Sequence, residues 1–201
     1  MSYSSELTKE RILECAKKEF LEKGFANTSL RQISTNAKAT TGALYNHFDG
    51  KEGLFEAIVG DFADKLFELY KKAHEEIEGN YDFESDDITK NMGKGTSLIL
   101  EYLYSDFELS KLLFCCSSGT KYEKFAQKLI EVEEKSLLEF MENDNFQLTK
   151  INKFFVHVIS TSGLNNMLEA IYHDLSKEEA FEYIGKIQKF YYAGTKELLG
   201  L

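Results

Sequence analysis

Apolar residues recur every three or four positions along most of the chain, and they nowhere alternate long enough to make a strand. From Thr8 to Lys23, the spacing of Ile12, Leu13, Ala16, Phe20 and Leu21 predicts a helix with one apolar stripe. Gly24 supplies the left-handed end such a helix needs, and Phe25 can fold back onto the same core. Thr28 is expected to cap a second helix, in which Leu30, Ile33 and Ala37 point inward and Arg31 and Gln32 outward. Asn36–Ala39 is too polar and too short to be another element, so it reads as a turn. A third helix follows from about Thr40 to Phe48, with Leu44 and Phe48 inward and Thr40, Thr41, Gly42, Tyr45, Asn46 and His47 outward.

Beyond this tri-helical head, Leu54, Phe55, Ile58, Phe62, Leu66, Leu69, Tyr70 and Ala73 predict a long helix from Lys51 to about Glu78. It starts in the head and ends in the remainder of the chain, where it could act as a lever. Gly79–Ser85 and Asn143–Asn145 read as connections. Further helices are expected near 86–104, 107–116, 122–143, 150–173 and 177–199, the last marked by a capping box of Ser176 and Glu179. With no proline, the expectation is an all-α chain of about nine helices. Residues 1–50 would form a helix-turn-helix domain and 51–201 a helical effector-binding and dimerisation domain.

Two short helices across a tight turn, the second showing Tyr, Asn and His, suit insertion into the major groove of duplex DNA. Gly42 would let backbone approach the groove wall. Thr40 and Thr41 could bond phosphates or touch thymine methyls, Tyr45 and His47 carry donors at phosphate reach, and Asn46 could read a base edge. Arg31 can reach guanine or phosphate, Thr28 opens the same helix, and Lys51 would add a phosphate contact.

Phe20, Gly24-Phe25, Thr28-x-x-Arg31-x-Ile33, and Thr41-Gly42-Ala43-Leu44-Tyr45-Asn46-His47-Phe48 followed by Lys51-Glu52-x-Leu54 together resemble the DNA-binding domain of TetR-family regulators. The resemblance covers roughly residues 8–56. It implies a DNA-binding repressor with an effector pocket in the helical body and a two-fold four-helix bundle as dimer interface. The chain departs from the family pattern at Lys38, where the turn usually has Gly. It departs again at Gly50 and Gly53, and at Thr41, where Lys or Arg is common.

The last two helices carry broader apolar surfaces than a single core requires, including Phe155, Val158 and Tyr172 on one and Ile184, Ile187 and Tyr191 on the other. Either they meet a second copy of the chain or they are deeply buried core helices. A two-fold dimer would set its recognition helices about 34–36 Å apart and so match a palindromic operator. Aromatic and polar residues of the body, among them Tyr102, Phe107, Phe114, Tyr122, His157 and Asn165, could line an effector pocket or be satisfied core groups.

Net charge is −10, yet residues 1–51 hold eight Lys and Arg against six Asp and Glu, a net of +2, which leaves −12 for the rest. The small basic excess sits on the segment that would meet DNA, and the acidic remainder would orient that face towards the duplex. The N-terminus is polar and no apolar run reaches membrane-spanning length, so a cytoplasmic protein with no membrane partner is expected. Cys15, Cys115 and Cys116 read as reduced and at least partly buried, with a redox role for the adjacent pair kept as an alternative. The four histidines make no metal-binding spacing, Gly93-Lys94-Gly95-Thr96 is only part of a phosphate loop, and the acidic runs Glu131, Glu133, Glu134 and Glu178, Glu179 read as solvated faces. No enzyme and no cofactor is expected. The competing class is a helical ligand-binding or scaffold protein with a degenerate DNA-binding segment.

Overall fold

The computed structural model describes residues 3–75, 87–143 and 149–199, and every regular element among them is an α-helix. In order these are α1 (Tyr3–Asn27), α2 (Leu30–Asn36), α3 (Thr41–His47), α4 (Gly50–Glu75), α5 (Asp87–Ser105), α6 (Phe107–Cys115), α7 (Phe125–Asn143), α8 (Lys150–Tyr172) and α9 (Lys177–Leu199). The all-α expectation holds, and most helices fall close to the bounds that the 3.6-residue periodicity predicts; α1 differs, starting at Tyr3 rather than Thr8 and continuing beyond the kink at Gly24 to Asn27. The expected connections at 79–85 and 144–145, and the last residues of the expected long helix, lie outside the described residues. Gly93-Lys94-Gly95-Thr96 lies inside α5 and starts nothing.

The chain divides into two compact units: residues 1–65 with 107–125, and residues 66–106 with 126–201. In the first unit, Ile12, Ala16, Phe20, Phe25, Ile33, Leu44, Leu54 and Phe55 are buried. Phe20, Phe25 and Phe55 form an aromatic knot with ring centroids 5.1–5.8 Å apart. Packing unites with this head a segment remote in sequence. The Phe25 amide donates to the Cys116 carbonyl at 2.9 Å. The Lys121 amide donates to Glu52 at 3.0 Å, the Lys121 ammonium pairs with Glu56, and Tyr122 packs on Phe55.

The second unit buries Leu66, Tyr70, Leu100, Leu103, Leu129, Val156, Leu164, Leu168, Ile171, Ala180 and Ile184. The Tyr104 hydroxyl donates to the Leu175 carbonyl at 2.9 Å, and Lys177 pairs with Glu101, so α5 is tied to the start of α9. The predicted capping box is present: the Ser176 amide donates to Glu179 at 2.8 Å and the Glu179 amide to the Ser176 hydroxyl at 3.2 Å.

Two of the three cysteines differ in setting. Cys116 is buried, and burial pushes its thiol pKa up, whereas Cys115 is exposed, contrary to the expectation that all three would be at least partly buried. The helical period places Cys115 one residue off the buried stripe that Leu112, Leu113 and Cys116 define.

Candidate nucleic-acid interface

The turn between α2 and α3 ends α2 with a Schellman motif. The Ala39 amide donates to the Ser34 carbonyl at 2.9 Å and the Lys38 amide to the Thr35 carbonyl at 3.1 Å. The motif requires a left-handed residue at its second-last position, and Lys38 adopts it at φ 52°. A side chain there carries strain that glycine would not. Thr40 then caps α3, its hydroxyl oxygen accepting from the Ala43 amide at 3.0 Å. Leu44 is fully buried and Phe48 nearly so, which orients α3 by its inner face.

The outer face of α3 consists of Thr41, Gly42, Tyr45 and Asn46, all exposed, with Tyr45 at 59%. His47 is half-buried, its Nε2 lying 3.4 Å from the Ser5 hydroxyl of α1. Arg31 is exposed on α2. A Cβ built on Gly42 meets nothing closer than the Thr40 hydroxyl at 3.9 Å, so the fold does not itself demand glycine there. The missing side chain leaves a flat spot on the exposed face.

Two residues expected at the interface are drawn into the fold instead. Thr28 is buried and does not cap α2; the residue in the capping position is Ser29, which makes no side-chain cap. The Thr28 hydroxyl donates instead to the carbonyls of Gly24 at 2.9 Å and Glu19 at 3.2 Å. Lys51 serves the same helix end. Its ammonium donates to the carbonyls of Phe25, Ala26 and Thr28 at 2.7, 3.2 and 3.1 Å and sits 4.4 Å above the Phe25 ring. Gly24, at φ 72° and ψ 163°, breaks the helical ladder in a conformation open essentially to glycine alone. The carbonyls so freed need donors, and a cation at a helix C-terminus is favoured by the dipole as well. Glu19 completes the arrangement, paired with Lys23 at 2.6 Å and accepting from the Asn36 amide at 2.9 Å.

The expected effector residues are distributed over both units. Phe107, Phe114 and Tyr122 belong to the first, where Tyr122 is buried and Phe114 packs on Phe125 at 5.9 Å. Tyr102, His157 and Asn165 belong to the second, where His157 pairs with Glu134 and Asn165 is exposed. Of the residues expected at a dimer interface, Phe155, Val158 and Tyr172 are exposed and Ile184 is buried. Ile187 and Tyr191 are half-buried, and the Tyr191 hydroxyl accepts from Asn166 at 2.8 Å. Ile151, Phe154 and Phe190 are exposed at 64–73% as well.

Glu133 corrects the reading of 131–134 as a solvated face. Its carboxylate accepts from the Tyr70 hydroxyl at 2.7 Å, and burial pushes its pKa up to about 7. Sequence carried a signal for this, because Glu133 stands on the stripe of Leu129, Ile130, Ser136 and Phe140.

The tri-helical head with a capped, outward-facing third helix defines a helix-turn-helix protein. Residues 12–58 match the family model for bacterial regulatory proteins of the tetR family. The repressor KstR2 of Mycolicibacterium smegmatis is 34% identical over 64 residues, 32% of this chain and 31% of that protein. The probable regulator YttP of Bacillus subtilis is 30% identical over 107 residues, 53% of this chain and 49% of that protein. These matches thus span a third to a half of the relatives' own length. In fold the chain is similar to a transcriptional regulator (TerR/AcrR family) from Aquifex aeolicus, with TM-score 0.61 and 22% identity over 91% of this chain and 98% of that one. Residues 12–58 thus resemble the head of tetR-family regulators, and the fold is similar to that of the Aquifex aeolicus regulator.

Proposed function

We propose that the protein is a sequence-specific DNA-binding transcriptional regulator, a homodimeric repressor released from a palindromic operator by a small ligand held in the second unit. The observation that carries this reading is the outer face of α3. Thr41, Gly42, Tyr45 and Asn46 stand exposed on a helix whose inner face and N-cap are already satisfied, so the face is rigid and unspent. Thr40, Thr41, Asn46 and Tyr45 offer the hydrogen-bonding groups, and Arg31 the cation, that phosphate and base edges require. Because Thr28 and Lys51 are engaged inside the head, the contact set is Arg31 with Thr40–His47.

The homodimer is supported by α8. Ile151, Phe154, Phe155 and Val158 lie exposed within about two turns, with Phe190 on α9 exposed as well, an apolar concentration that a lone chain would leave in water. α4 runs without a break from the first unit into the second, which makes it the route by which a ligand would change the spacing of the two recognition helices. Coupling of this kind is reciprocal, so DNA weakens ligand binding by the same factor.

The test is titration of the full chain against a palindromic fragment from upstream of its own coding region, followed by fluorescence anisotropy. Binding at least a hundredfold tighter than to shuffled DNA is expected, with Tyr45→Ala weakening it about tenfold, the loss of roughly one hydrogen bond to a charged group. Equal affinity for both duplexes would overturn the reading.

A further inference from the structure

Lys38 holds a strained conformation that nothing in its own fold explains. It stands in the turn between α2 and α3 at φ 52°, in the left-handed region, and the bonds of the turn require it there. The Ala37, Lys38 and Ala39 amides donate to the carbonyls of Ile33, Thr35 and Ser34 at 2.9, 3.1 and 2.9 Å, which closes the end of α2 around this residue. Glycine takes that conformation without strain, and a residue with a Cβ does not. The Lys38 side chain is exposed, and among the described residues it makes no hydrogen bond, ion pair or ring contact. Glu19, the acid that the end of α2 meets, is already taken by Lys23 at 2.6 Å and by the Asn36 side-chain amide at 2.9 Å. A strained residue that persists without a partner in its own fold points to a partner outside it.

Charge along the segment indicates which partner. From Thr28 to Phe48 the chain has no Asp or Glu, and its only Lys and Arg are Arg31 and Lys38. Other lysines of the first unit are engaged. Lys17 pairs with Glu108 at 2.9 Å and Lys121 with Glu56, while Lys51 donates to three carbonyls. In a helix-turn-helix the first helix crosses the sugar–phosphate backbone and the second enters the major groove. The turn that joins them therefore passes over the rim of the groove, where the phosphates run. Lys38 lies two residues before the Thr40 cap of α3, so their Cα atoms are at most about 7.6 Å apart. Its flexible four-carbon stem carries the ammonium out from the turn as a compact point charge.

We propose that Lys38 contacts a phosphate of the operator backbone at the rim of the major groove, once in each half-site. The strain in the turn lowers folding stability, and the side chain that causes it raises DNA affinity. The inference rests on the reading of α3 as a recognition helix, and it adds to that contact set a cation at the position where the family pattern usually has glycine. A phosphate contact carries no sequence information. Lys38 thus strengthens binding to any duplex, and preference for the operator is left to the side chains that reach base edges.

The experiment is fluorescence anisotropy of the full chain on the palindromic fragment and on shuffled duplex, across a fourfold range of NaCl from about 50 to about 200 mM. Each phosphate neutralised contributes about 0.9 to the slope of log affinity against log salt, so losing one contact per protomer should flatten the slope by about 1.8 in a dimer. Across that range the advantage of wild type over Lys38→Gln should shrink about tenfold. Lys38→Gly should flatten the slope equally, although its backbone is relieved, and Lys38→Arg should keep the wild-type slope. Lys128→Gln, which removes the same charge from an exposed position on α7, should keep it as well. A slope unchanged in either Lys38→Gln or Lys38→Gly overturns the proposal, as does equal flattening in Lys128→Gln. The two readings fail separately. Wild type that prefers its operator while Lys38→Gln keeps the slope refutes only the contact. Wild type without that preference refutes the sequence-specific regulator, and the slope on shuffled duplex still decides for or against Lys38. Binding to neither duplex overturns both.

Discussion

Replacing Glu133 with Gln keeps the size of the side chain and removes the proton that can leave it. In the wild type, burial raises the carboxyl pKa from the usual 4.5 to about 7, against the opposing pull of the Tyr70 hydrogen bond. Between those two values the folded protein holds a proton that the unfolded chain has released, so stability falls as pH climbs through the window and levels off above it. The span from 4.5 to about 7 corresponds to about 3 kcal/mol. Glu133→Gln has no such dependence. Its stability relative to wild type should therefore rise by about 3 kcal/mol from pH 4 to pH 8, whatever the offset at pH 4. Urea unfolding at pH 4, 6 and 8, at one protein concentration so that self-association cannot intrude, reads this difference directly. Other titrating groups cancel between the two proteins. A difference that is flat with pH, or that shrinks as pH rises, would refute the raised carboxyl pKa of Glu133.

Three further outcomes follow from the head and from α8. Lys51→Met removes the donor to three carbonyls at the end of α1 and should cost about 2 kcal/mol in chemical denaturation, a loss that a purely DNA-contacting lysine would not show. Lys38→Gly relieves the left-handed strain at φ 52° and, after the greater chain entropy of glycine, should stabilise by up to about 1 kcal/mol; no gain in thermal denaturation would mean that the turn is not strained. Phe155→Glu, at an exposed position, should shift sedimentation from dimer to monomer while leaving helicity intact, and an unchanged sedimentation coefficient would remove α8 from the interface.

The helices and the head motif are legible in the amino-acid order because both are written in local terms. A 3.6-residue apolar period, the glycine at 24 and the Ser176–Glu179 box each act within one or two turns, whereas the cap expected at Thr28 is absent and Thr40 caps α3 instead. The inward and outward faces of α3 could be assigned from Leu44 and Phe48 alone. What the polar residues do once the helices meet depends on packing between remote segments. Thr28 and Lys51 look like surface contacts until the break at Gly24 frees carbonyls that need their donors. Glu133 looks solvated until Tyr70, 63 residues away, reaches it. On α8 the sequence shows an apolar surface too wide for one core, but which part stays uncovered depends on where α9 lies. Ile184 is buried while Phe154 and Phe155 remain open to water. A helix's own period specifies which residues share a face, whereas the partner of that face is set by chain elements remote in sequence.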